Sequence, residues 1–179
     1  MNTGSKRLSL IANHLSSGTK HSLSTNTVTA STAKKETFRS KDDYKYFLSI
    51  QTRWSDADVY GHLNNSIYYH YFDTVINDYL IKHCGLEPNR QDKKKPIGLV
   101  VASQANFYAS ANYPSVIHAG LRITKIGRSS VTYRVGIFEA ESATACVVGG
   151  FTHVFVDPES RRPIQSLPEI YQNGMEKLL

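Results

Sequence analysis

The segment that most restricts the fold is residues 67–80. Ile67, Tyr68, Tyr71, Phe72, Val75, Ile76, Tyr79 and Leu80 recur at three- and four-residue spacing, which gathers them into one wide apolar stripe on a helix. Asn64 or Asn65 supplies the N-cap, because a side-chain oxygen there accepts from a first-turn N–H. Gly85 ends the helix where a left-handed residue is wanted, and Pro88 follows. This is the one long helix in a chain that otherwise reads as strands. Residues 46–54 alternate partially with period two, and residues 97–108 are long and apolar. Ile117, Ala119, Leu121 and Ile123 alternate with His118, Gly120, Arg122 and Thr124, and Val131, Tyr133, Val135 and Ile137 alternate again. Residues 145–156 complete the set. Residues 127–130 and 139–143 are short enough for hairpin turns, and Leu167-Pro168-Glu169-Ile170 opens a short terminal helix.

Strand, helix, then four strands predicts an α+β domain with one helix against an antiparallel sheet of about five strands. One helix covers only one face of such a sheet. The second face or an edge is therefore expected to be covered, most simply by another subunit.

Charge divides the chain. Residues 1–41 hold seven Lys/Arg and one acid, and residues 42–179 hold 14 basic and 14 acidic residues. The basic balance thus belongs to the leader, and the folded part lacks the excess a nucleic-acid binder carries. Residues 1–35 contain 13 Ser/Thr and no Asp or Glu, with Leu8, Ile11 and Leu15 on one helical face. That composition is expected of a mitochondrial targeting peptide; a polar disordered tail in a cytoplasmic protein is the alternative. The expected division is a leader over 1–43 and a domain over 44–179. No apolar run reaches the length of a membrane span. Cys84 and Cys146 are far apart, without metal-ligand spacing, and read as buried free thiols. Lys93-Lys94-Lys95 lies in a polar loop and reads as solvated charge.

Between the first strand and the helix runs RWSDADVYGHLNN, residues 53–65. A loop entering a helix N-terminus gathers unpaired N–H groups and the positive end of the helix dipole, which suits an oxyanion. Asp56 and Asp58 stand just upstream, and a carboxylate there can activate water or attack a carbonyl. From spacing alone, acids and asparagines before a helix are also ordinary caps, Gly61 an ordinary turn residue and His62 an ordinary structural histidine. No Gly-x-Ser-x-Gly elbow, phosphate loop or His-Glu-x-x-His pattern occurs.

The run Arg53 to Asn65, with Tyr68-Tyr69-His70-Tyr71-Phe72-Asp73, resembles the 4-hydroxybenzoyl-CoA thioesterase family of hotdog-fold proteins. His153-Val154-Phe155-Val156-Asp157, with Arg161-Arg162-Pro163 behind it, resembles their last long strand and tail. The likeness covers about residues 44–170. It implies a single hotdog domain, a curved antiparallel sheet wrapped around the helix, with subunits paired edge to edge as a homodimer or tetramer and sites at the interface. It implies hydrolysis of a thioester of coenzyme A, or of acyl carrier protein, with no separate cofactor and no metal. Asp58 matches the family's catalytic acid, and the N–H near Asn65 the oxyanion donor. Asp56 and Gly61 are assigned to supporting the loop. In one branch a histidine lies seven residues after the acid; here that position is Asn65, and His62 lies four after. Arg128, Ser129 and Ser130 are expected at a hairpin that binds coenzyme A phosphate. Two other functions stay open: a non-catalytic acyl-CoA-binding or structural subunit, and a hydratase or dehydratase pairing His62 with Asp58.

Overall fold

The computed structural model describes residues 38–87 and 94–179. Strand β1 (Tyr46–Gln51) leads through a 3-10 turn (Trp54–Asp56) into helix α1 (Asn65–Cys84). Strands β2 (Ile97–Phe107), β3 (Val116–Ile126), β4 (Ser130–Glu139) and β5 (Val147–Val156) follow, and helix α2 (Glu169–Glu176) comes last. The targeting leader expected over 1–43 falls, up to residue 37, outside the described residues. Among the described residues no helix is long and apolar enough to cross a membrane.

Local chemistry accounts for the element ends. The first strand stops at Gln51 rather than running to Trp54, because Asp56 accepts the Arg53 N–H and turns the chain. Asn64 is the N-cap of α1, its side chain accepting from the Ser66 N–H, and Asn65 is the first helical residue. Gly85 closes α1 at φ 70 with its N–H on the Leu80 carbonyl. The apolar stripe of α1 is buried, with Phe72, Val75 and Ile76 fully enclosed.

The strand order is β1-β3-β4-β5-β2, antiparallel throughout. This corrects the expected wrap-around sheet. β1 pairs only with β3, and β2 only with β5. The two therefore form opposite free edges of an open sheet that is neither curled nor closed. The helix lies on one face of this sheet, against β1, β3, β4 and β5, and is not enclosed. The physical reason is that no hydrogen-bonded ladder joins β1 to β2, so nothing draws the two edges together around the helix. The face away from the helix has a cover of its own. The Tyr44 ring lies over Gly120 and Gly136, where an added Cβ would come within 2.8 and 2.5 Å of its atoms. Phe38, Phe138, Ala145 and Val148 pack around it. Part of the second face is thus covered by the chain's own residues.

Of the two free edges β2 is the longer, 11 residues against 6 in β1. Leu99, Val100 and Val101 are 38%, 50% and 59% exposed. A long apolar edge with unpaired backbone groups is a template for pairing with another chain.

Candidate active site

The loop between β1 and α1 is built on Asp56. Its carboxylate is 1% exposed and accepts from the Arg53 N–H at 2.9 Å, the Arg53 Nε–H at 3.1 Å and the Tyr71 hydroxyl at 2.9 Å. The Arg53 guanidinium adds an ion pair at 2.9 Å. Burial pushes the Asp56 carboxyl up, but the Arg53 and Tyr71 hydrogen bonds and the Arg53 charge outweigh it, and its pKa is lowered. The Asp56 carbonyl also accepts the Asn64 N–H at 2.9 Å. This one residue therefore ties the loop's start to its end.

The loop then folds on itself. Ala57 and Leu63 form a β-bridge, and the Asp58 N–H donates to the His62 carbonyl at 2.7 Å. Gly61 sits at φ 80, a left-handed conformation that costs a residue with a Cβ ~1–2 kcal/mol. The Asp58 Oδ1 accepts from the N–H groups of Tyr60 at 2.8 Å and His62 at 3.2 Å. Its Oδ2 takes no hydrogen bond among the described residues. At the start of α1, Asn64 occupies the N–H groups of Ser66 and Ile67. The Asn65 N–H has no acceptor among the described residues, and it stands at the positive end of the helix.

Asp58, His62 and Asn65 share one cleft of about 300 Å³ with Leu63, Tyr68 and residues 107–110. Tyr68 is buried, its hydroxyl oxygen accepting the Ala111 N–H at 3.1 Å, and the Leu63 N–H reaches the Ala111 carbonyl at 2.8 Å. These bonds hold the chain beyond β2 against the helix start. The sequence placed Tyr68 in the apolar stripe of the helix and residues 107–108 at the end of a strand, but assigned neither Tyr68 nor residues 107–110 to the site. Tyr68 lies one turn from Asn65, which is a usable signal; residues 107–110 arrive by non-local pairing and carry none. On its other side Asp58 borders a wider recess with Trp54, Val59 and Tyr113, the Trp54 and Tyr113 rings meeting edge to face at 5.9 Å. A free carboxylate oxygen and an unpaired helix N–H in one partly open cleft are the groups that addition to a carbonyl requires.

Arg128, Ser129 and Ser130 are not brought to this cleft. Gln51 pairs with Val116, and β3 then runs to Ile126 before the turn. That places the hairpin roughly 35 Å away at the usual rise of a strand. The hairpin itself is firm: the Gly127 N–H donates to the Ser130 carbonyl, and the Phe155 N–H to that of Ser129, both at 2.7 Å. Among the described residues no carboxylate pairs with Arg128. Also among the described residues, no cluster of His, Cys, Asp and Glu is placed to hold a metal ion. Cys84 and Cys146 are buried free thiols, pushed up to about 11 by burial.

A family model for the Thioesterase-like superfamily matches residues 52–174. The crystal structure of the PA5185 protein of Pseudomonas aeruginosa is 40% identical, with a TM-score of 0.74, over 78% of this chain and 96% of that one. Slr0204, a 1,4-dihydroxy-2-naphthoyl-CoA thioesterase from Synechocystis, is 19% identical with a TM-score of 0.67, over 74% of this chain and 96% of that one. The uncharacterized protein YsmA of Bacillus subtilis is 27% identical over 125 residues, 69% of this chain and 81% of its own.

Proposed function

Because the chain belongs to the Thioesterase-like superfamily, we propose that it hydrolyses acyl-CoA thioesters at the Asp58 cleft. The observation that carries this reading is the half-occupied Asp58 carboxylate. One oxygen is fixed by two backbone N–H groups while the other is free, beside an unpaired N–H at the start of α1. Asp58 takes a proton from water as that water adds to the thioester carbonyl, or adds its own oxygen. The carbonyl oxygen becomes an oxyanion held by the Asn65 N–H. The tetrahedral intermediate then collapses, the carbon–sulfur bond breaks, and the thiolate leaves and is protonated to give coenzyme A and the acid. A nucleophilic Asp58 would pass through an anhydride that water opens in a second step. His62 borders the cleft with an exposed ring and is proposed to assist by orienting water. The coenzyme A thioester is chosen because Slr0204 is a thioesterase of that kind.

The working unit we propose is a homodimer paired along β2. Antiparallel pairing of this edge with a copy of itself satisfies its backbone groups and covers Leu99, Val100 and Val101. It also places the Arg128 hairpin of one copy at the same end of the joined sheet as the other copy's Asp58. Arg128, Ser129 and Ser130 are then assigned to the phosphates of coenzyme A bound in the neighbouring site, where an Arg fork is suited to phosphate. For the leader we propose mitochondrial targeting, to be tested by whether residues 1–43 carry a fused fluorescent protein into mitochondria; a diffuse cytoplasmic signal removes that assignment.

The test of function is thiol release from a panel of acyl-CoA substrates, run beside light scattering of the eluting protein. The reading expects turnover by a dimer or larger assembly. Binding of acyl-CoA without release across the panel favours a non-catalytic binding protein instead, and hydroxyacyl product from an enoyl-CoA favours a hydratase.

A further inference from the structure

On the sheet face away from α1, neighbouring strands place Arg122, Arg134, Gly150 and Gln104 in one row. Leu121 and Ile123, which flank Arg122, and Tyr133 and Val135, which flank Arg134, belong to the core under the helix. The alternation of a strand therefore turns both arginines to the other face. Arg122 and Arg134 are direct cross-strand partners. Thr132 pairs with Thr152 and Val135 with Gly149, so Arg134 stands opposite Gly150, and Gly150 pairs with Gln104.

Like charges directly opposite each other destabilise a strand pair. Among the described residues no carboxylate pairs with either arginine. Asp43 offers Arg122 its carbonyl, at 3.1 Å, while its carboxylate accepts the Ser40 N–H at 2.9 Å. Both guanidinium groups lie against the Phe38 ring, 5.1 and 5.5 Å from its centre. Their Nε atoms are buried without a hydrogen-bond partner among the described residues. Buried charged donors left unpaired are costly, and an anion beside them relieves both the unpaired donors and the repulsion.

Arg134 borders a cavity of about 200 Å³ with Thr132, Gly150 and Thr152. That is below the ~300–1,000 Å³ of sites for drug-sized molecules and suits one small oxyanion. Gly150 sits at φ 141, and an added Cβ there would stand 2.2 Å from the Tyr133 carbonyl oxygen. No side chain therefore rises between Arg134 and Gln104. With its amide oxygen toward the guanidinium, Gln104 accepts from Arg134 at 2.6 and 3.2 Å, which fixes the direction of the fork. The Thr132 and Thr152 hydroxyls bond each other at 3.2 Å. One of them donates in that bond, and the other keeps its O–H for a ligand. The row is remote from the Asp58 cleft: Arg122 is six residues along β3 from the Gln51–Val116 pair, roughly 20 Å.

We propose that Arg122, Arg134 and the Thr132–Thr152 hydroxyl pair form an anion site for a phosphate group, carried as the free ion or as a monoester of a small metabolite. A phosphate brings about two negative charges at neutral pH and several acceptor oxygens, which two opposed guanidinium forks match. A carboxylate brings a single charge. The inference does not depend on the thioesterase reading, and the site is separate from the Arg128 hairpin assigned to coenzyme A.

The test is isothermal titration of the full chain with inorganic phosphate and with adenosine monophosphate. At least one is expected to bind with a Kd of about 1 mM or tighter, and the tighter of the two tells whether the phosphate is free or esterified. Acetate is expected to bind at least about tenfold more weakly. Arg122→Gln and Arg134→Gln are each expected to weaken phosphate at least about tenfold, whereas Arg128→Gln leaves it within about twofold. Absence of binding by both phosphates, or acetate that binds as tightly, overturns the site. Binding that is lost in Arg128→Gln and kept in Arg122→Gln and Arg134→Gln moves the phosphate to the hairpin and overturns it as well. If a glutamine variant melts below the assay temperature, Arg134→Lys keeps the charge and loses the fork. It is expected to weaken phosphate at least about threefold, and unchanged affinity overturns the proposal.

Discussion

Replacing Asp56 by alanine removes every bond that its carboxylate makes, and each can be assigned a cost. The Tyr71 hydroxyl is buried and loses its acceptor, a loss of ~1–3 kcal/mol. The Arg53 N–H loses the acceptor that caps the 3-10 turn, worth ~1 kcal/mol. The Arg53 guanidinium is 69% exposed, and its ion pair contributes ~0–1 kcal/mol. Together these predict a destabilisation of about 3 kcal/mol at pH 7, or a melting temperature lower by about 10 °C for a domain of this size. The difference must also depend on pH. The folded-state pKa of Asp56 is lowered, so its contribution is complete above the unfolded value of ~3.9 and disappears as pH falls through the folded value. Urea unfolding of wild type and Asp56→Ala at a series of pH values reads both effects. The gap should be widest at neutral pH and should narrow below about pH 4. Equal stability at pH 7, or a gap that persists unchanged into acid, would refute the assignment of Asp56 as the brace of the loop.

Three further perturbations have definite outcomes. Gly61→Ala forces a Cβ into a left-handed turn with open space around it, so it should cost ~1–2 kcal/mol in urea unfolding and displace Asp58; unchanged stability would mean that the turn adopts another conformation. Asn64→Ala should cost about 1 kcal/mol through the lost cap, and an unchanged urea midpoint would contradict that role. Cys84 and Cys146 are buried with pKa values of about 11, so thiol reagents at pH 8 should label the native protein slowly and the urea-unfolded protein at two sites; fast labelling of either thiol in the native state would show an opening that the packing does not predict.

The elements of this fold were readable because they rest on local chemistry. The 3.6-residue stripe from Ile67 to Leu80, the Asn64 cap and Gly85 define α1 without reference to anything distant. Residues 97–108 show the limit. Their apolar run predicts a strand, but not one whose side chains are mostly exposed along a free edge. That depends on which strands neighbour it, and β2 pairs with the last strand of the chain. The same ignorance of strand order hid the open sheet, because no local signal puts β1 and β2 at opposite edges. In the loop, spacing alone offers two acids with similar neighbours. Only the reach of Arg53 and Tyr71 decides that Asp56 is enclosed and Asp58 half free. The hairpin at residues 127–130 was legible as a turn, whereas its distance from Asp58 follows from the direction of β3.

The account turns on the free oxygen of Asp58. Asparagine is the cleanest probe of it. In Asp58→Asn the side-chain amide oxygen keeps the bonds from the Tyr60 and His62 N–H groups, so the loop stays formed, while the base is gone. Steady-state hydrolysis of a competent acyl-CoA by this variant should fall in kcat by roughly 10²–10⁴-fold, with KM and melting temperature close to wild type. Turnover within a few-fold of wild type would contradict the assignment of the chemistry to Asp58.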